Sequence, residues 1–73
     1  MSKRENGKKL MELRVKRGMS RKALADEINV SESAVQYYET GQRSPRDEIK
    51  VKIANLFGVS VLDLFYGDNT TNS

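Results

Sequence analysis

The sequence contains no cysteine and no histidine. Without cysteine there is no disulfide framework, no zinc finger and no thiol nucleophile. Without histidine the chain lacks the commonest general base and the commonest transition-metal ligand. Carboxylates, lysines and hydroxyls remain, on a chain of 73 residues. A chain that short buries only about 60% of its unfolded surface, which leaves little room for a substrate pocket. Catalysis, a bound metal and a cofactor are therefore not expected. No apolar run approaches the ~20 residues that span a bilayer, and no apolar segment follows the N-terminal charges as in a secretory signal. A cytoplasmic protein that does not engage membranes is the expectation. Strand-like alternation of useful length is also missing.

What is present is charge, unevenly spread. The net charge is +3. Residues 1–22 carry nine Lys/Arg against Glu5 and Glu12, a net of +7, whereas residues 23–73 carry four basic and eight acidic residues, a net of −4. Such asymmetry points to a polyanion-facing surface built mainly from the N-terminal part. A merely solvated basic helix would give the same count.

The apolar residues follow helical spacing in short stretches separated by single punctuating residues. Leu10, Leu13 and the stem of Arg14 share one face, and Gly18 stops that segment. Ser20 is placed to cap a second helix carrying Ala23, Leu24, Ala25 and Ile28. Ser31 is placed to cap a third, which Gly41 ends. Ser44-Pro45-Arg46-Asp47 has the spacing of a capping box with proline at the first helical position. Ile49, Ile53, Leu56 and Phe57 then form one stripe, ended by Gly58. Ser60-Val61-Leu62-Asp63 repeats the capping spacing ahead of Leu64 and Phe65. Helices are expected at about 6–17, 21–28, 32–40, 45–57 and 61–66: an all-α, compact five-helix bundle in one domain over 1–66. Residues 67–73 lack an apolar anchor and are expected to form a disordered, flexible tail.

The stretch from Ser20 to Gly41 is the most informative. Two short helices joined by Asn29, Val30 and Ser31 alone must cross steeply. At ~100° per residue, Glu32, Gln36, Thr40, Ser33 and Tyr37 share one arc of the third helix, and Ala34, Val35 and Tyr38 share the opposite one. One face is apolar, with Tyr38 expected in the core and Tyr37 on the surface. The other is hydrogen-bonding throughout, as reading of a major groove requires.

The ordered set Leu10-x-x-Leu13-Arg14, Gly18-Met19-Ser20-Arg21-Lys22-Ala23-Leu24-Ala25, Val30 to Gly41, Ser44-Pro45, Ile53-Ala54-x-x-Phe57-Gly58-Val59-Ser60 and Leu64-Phe65 resembles the Cro/repressor-type (Xre-like) helix-turn-helix family of bacterial and phage transcription regulators. The match covers about residues 6–66. This resemblance implies a bundle of the lambda-repressor-like type, with helix 32–40 in the major groove and helix 21–28 across the phosphate backbone. It places Glu32, Ser33, Gln36 and Tyr37 toward bases, and Arg21, Arg43 and Arg46 toward phosphates. It assigns Arg14 and Glu39 to a structural pair between the first and third helices.

Three positions depart from the family pattern. Glu32 stands where glutamine is common. Its carboxylate either accepts from cytosine N4 or only stabilises the helix N-terminus. Lys50 and Lys52 lie near a position often aliphatic, which leaves Ile49 and Val51 as alternative inward residues. The implied function is a sequence-specific double-stranded DNA-binding transcription regulator, a repressor first of all, working as a homodimer on a two-fold operator. No ligand domain or separate dimerisation domain is expected, so Val59, Val61, Leu62, Leu64, Phe65 and Tyr66 are candidates for the contact between copies. The other reading is an antitoxin-type module that binds a regulatory protein partner as well as DNA.

Overall fold

The computed structural model describes residues 3–66, which form α1 (Lys3–Lys16), α2 (Arg21–Ile28), α3 (Glu32–Thr40), α4 (Asp47–Phe57) and α5 (Leu62–Tyr66). No strand occurs among the described residues. The tail expected over 67–73 lies outside them.

Serine caps punctuate the chain. Ser20 Oγ accepts from the Ala23 amide at 3.0 Å, Ser31 Oγ from the Ala34 amide at 3.0 Å, and Ser60 Oγ from the Asp63 amide at 2.9 Å. Each satisfies one of the donors that a helix start leaves open. Between α2 and α3, Asn29 adopts a left-handed conformation (φ 61°, ψ 48°), and the Val30 amide donates to Ala25 O at 3.0 Å. That closes α2 and redirects the chain into the Ser31 cap within three residues.

Two boundaries differ from the sequence expectation. Ser44 does not cap α4, which starts at Asp47 with Arg46 as an N-cap residue that makes no side-chain cap bond. Pro45 is instead buried in the loop, and Asp47 and Glu48 place negative charge against the open amides of the first turn. At the other end of the chain, α1 begins at Lys3 rather than at residue 6. Gly7 stays helical because it is buried against α3.

All five helices supply the core. Leu10, Leu24, Ile28, Val35 and Ile53 are fully buried, and Ala25, Ile49, Phe57, Leu64 and Phe65 complete the cluster. In α4 it is therefore Ile49, not Val51, that turns inward; Val51 is exposed. The last helix is π-type, a wider turn than the α-helix. Its adjacent Leu64 and Phe65 are both buried, so neither is available to a second copy, while Val59 and Val61 pack partly buried against the core. Of the apolar surface expected at this end, Leu62 (66% exposed) and Tyr66 (45%) remain on the outside, with Val51 of α4.

Candidate nucleic-acid interface

Helix α3 has one face inside the protein and one outside. Val35 is fully buried and Tyr38 packs half-buried against the core, whereas Glu32, Ser33 and Gln36 are exposed. Thr40 is exposed too, but its hydroxyl donates back to Gln36 O at 2.9 Å. Tyr37 is half-buried rather than fully on the surface: the Arg43 guanidinium lies over its ring, 4.9 Å from the centroid. The expected contrast between Tyr37 and Tyr38 is thus blunted, because the loop after α3 folds back over Tyr37. Its carbonyl oxygen also accepts from the amides of Gln42 (2.9 Å) and Arg43 (3.2 Å), which ties that loop to the helix end.

The loop supplies cations beside this face. Arg43 and Arg46 are exposed and share an open groove of about 410 Å³ with Asn29, Ser44, Tyr38 and Glu48. The turn before α3 and the start of α4 thus line one depression.

On the inner side of α3, Glu39 is a buried carboxylate whose side chain is 1% exposed. Its Oε2 accepts from Arg14 Nε at 2.6 Å and its Oε1 from Arg14 Nη2 at 3.2 Å, a fork-to-fork pair. Arg14 Nη1 also donates to Met19 O at 2.8 Å, so the same guanidinium fixes the loop ahead of α2. Arg21, the first residue of α2, donates from Nε to Glu39 Oε1 at 3.1 Å. The structure thus brings Arg21 into the Arg14–Glu39 pair, a contact that sequence reasoning missed.

The basic N-terminal segment is not a single open face. Arg17 donates to Leu56 O at 2.8 Å, with its guanidinium over the Phe57 ring, and so closes the C-terminal end of α4. Lys22 pairs with Asp26 one helical turn on, at 3.4 Å, and Lys9 donates to Asp63 O at 3.3 Å. Arg14 is committed to Glu39. Charge near α3 comes instead from Arg21 and from the loop arginines.

Gly7 is a residue that sequence reasoning missed. A β-carbon there would meet Tyr38 O at 2.3 Å and Glu39 O at 2.5 Å. The signal was available, because glycine inside an otherwise helical stretch costs about 1 kcal/mol relative to alanine and calls for a packing reason.

No described group of three or more Asp or Glu residues is arranged to hold a metal ion, and no described helix is long and apolar enough to cross a membrane. Two short helices, α2 and α3, joined by a three-residue turn, with one polar face of α3 outward, define a helix-turn-helix module. Residues 10–64 match the family model described as Helix-turn-helix, and the chain belongs to that family.

Among curated proteins, the chain is similar to the cryptic phage CTXphi transcriptional repressor RstR of Vibrio cholerae, 34% identical over 64 residues, or 88% of this chain and 57% of that protein. It is also similar to the HTH-type transcriptional regulator ImmR of Bacillus subtilis, 35% identical over 54 residues, or 74% of this chain and 42% of that protein. The chain thus spans about half the length of these two relatives. Among solved structures, the restriction-modification controller protein C.AhdI from Aeromonas hydrophila superposes with a TM-score of 0.79 at 30% identity, covering 86% of this chain and 96% of that one.

Proposed function

We propose that this protein is a sequence-specific, double-stranded DNA-binding transcription regulator that acts as a repressor in the cytoplasm and reads the major groove with α3. The observation that carries this reading is the division of α3. Val35 and Glu39 anchor it on the inside, while Glu32, Ser33 and Gln36 stand outside as hydrogen-bonding groups. A helix held that firmly presents its polar face without further ordering, which lowers the entropic cost of binding. Arg21, Arg43 and Arg46 contact phosphates and set the position of α3 along the groove. Tyr37, held under Arg43, offers its ring edge to sugar or to a thymine methyl. The relatives' names, transcriptional repressor and HTH-type transcriptional regulator, support the same assignment.

One recognition helix covers few base pairs, so the operator is two-fold and two copies bind it, with half-sites about one helical turn apart. Leu62, Tyr66 and Val51 are the exposed apolar residues that serve this pairing. Selection of bound sequences from random duplex DNA tests the proposal. Enrichment of one motif with two-fold symmetry is expected; recovery of unenriched sequences at every salt concentration would refute sequence-specific reading.

A further inference from the structure

The Arg14–Glu39–Arg21 cluster holds two guanidinium groups and a single carboxylate, joined by hydrogen bonds of 2.6, 3.1 and 3.2 Å. Two positive charges therefore face one negative charge where α1, α2 and α3 meet. The two arginines differ in how they are used. Arg14, 12% exposed at the side chain, spends Nε, Nη1 and Nη2 on protein acceptors. Arg21, 36% exposed, directs only Nε inward, and among the described residues its terminal nitrogens take no protein acceptor. A guanidinium is planar, so fixing Nε on a buried carboxylate also sets the direction of the outer N–H fork.

We propose that Glu39 is a positioning residue for Arg21. It holds the guanidinium by Nε so that the outer fork meets a DNA phosphate, and that phosphate supplies the second anion the cluster lacks. The inference rests on the reading of Arg21 as a phosphate contact. It adds that the carboxylate fastening α1 to α3 also aims this contact. Occupancy of one phosphate and the seating of the recognition helix are then linked through a single side chain. Lysine at position 21 would keep the charge but not the function, because one ammonium cannot hold Glu39 and present a fixed fork outward together.

The test measures affinity of the full chain for a mixed-sequence DNA duplex across a salt series. It compares the wild type with Arg21→Lys, Arg21→Gln, Glu39→Gln and the double variant Arg21→Gln/Glu39→Gln. Arg21→Lys should weaken binding about tenfold while leaving the salt slope unchanged. Glu39→Gln should weaken binding several-fold more when Arg21 is present than when position 21 is glutamine, where only the Arg14 contact is lost. In nitrogen-15 spectra, the Arg21 Nε–H resonance should be protected from exchange in the free protein and stay so after DNA is added.

Equal losses from Glu39→Gln with and without Arg21 would show that Glu39 acts through the scaffold alone and overturn the proposal. So would wild-type affinity in Arg21→Lys, or an Arg21 Nε–H that exchanges freely. Should Glu39→Gln not fold, those last two measurements decide by themselves. If Arg21→Gln leaves both affinity and salt slope intact, the phosphate role of Arg21 has failed, and positioning fails with it. If the wild type binds no duplex, the DNA-binding reading has failed. The arms keep these outcomes apart.

Discussion

The backbone of Gly7 lies against the carbonyl of Tyr38 so closely that a β-carbon on Gly7 would come within 2.3 Å of that oxygen. Gly7→Ala therefore cannot be accommodated by rotating a side chain, because the obstacles are the backbone oxygens of Tyr38 and Glu39. Alanine favours helix by about 1 kcal/mol, but overpacking of this kind typically costs 1–3 kcal/mol. A net loss of stability is expected, with a melting temperature lower by roughly 4–8 °C per kcal/mol. Thermal melts followed by circular dichroism check it, and a higher melting temperature would contradict the packing described.

As proposed phosphate contacts, Arg43 and Arg46 should contribute separately to salt dependence. Each phosphate contact contributes about −0.9 to the slope of log K against log salt, so Arg43→Ala and Arg46→Ala should each flatten it by about that amount. For Arg46→Ala the loss of affinity should be similar for operator and random duplex. Arg43→Ala also uncovers Tyr37, so its effect on operator preference should exceed that of Arg46→Ala.

Gln36→Ala should act on specificity instead. Gln36 is exposed on α3 and far from the core, so the variant should melt like the wild type. Preference for the operator over random DNA should fall by ~1–3 kcal/mol where a bidentate base contact is lost. Parallel titrations with operator and scrambled duplexes measure the difference; equal losses on both would move Gln36 out of the reading face.

Leu62→Glu and Tyr66→Glu should leave the monomer folded and weaken cooperative pairing on a two-fold duplex, since both residues are exposed. Phe65→Ala should act through stability, by about 3–5 kcal/mol, because its ring lies in the core. Sedimentation with and without duplex, alongside melts, separates the two effects. Unchanged cooperativity in both glutamate variants would place the contact between copies elsewhere.

At Asn29 the backbone alone decides the outcome. Its φ of 61° is one that glycine adopts freely, asparagine tolerates and alanine resists. Asn29→Ala should cost about 1 kcal/mol and Asn29→Gly far less. Denaturant melts of the two variants check the order.

The five-helix order was legible because its signals are local. A serine ahead of α2 and of α3, and Asn29 or Gly41 behind them, can be read within a few residues. At α4 the local signals competed. Ser44-Pro45 offered a good start, but burying the proline ring moved the first helical residue to Asp47. Contacts between elements were the least legible. Arg21 and Glu39 are 18 residues apart, and Arg17 and Leu56 are 39 apart. Nothing in their spacing says that an arginine counted as surface charge will lie on another helix's carboxylate or carbonyl. Lys50 belongs to the same class. It departs from the family's aliphatic pattern, yet its ammonium lies over the Phe65 ring, 5.3 Å from the centroid, and donates to the Tyr66 hydroxyl.

Helix α1 lies between elements made long after it. Its Gly7 and Arg14 seat against α3, and its Lys9 reaches Asp63 of α5, 54 residues further along. During synthesis α1 is made before any of the elements it packs against. Helices α2 and α3 can form a turn-linked pair, but Leu64 and Phe65 are absent from their core until almost the whole described chain has emerged. A nascent or truncated chain ending at Gly58 would therefore carry every proposed base-contacting residue and still lack the packing that holds them in place.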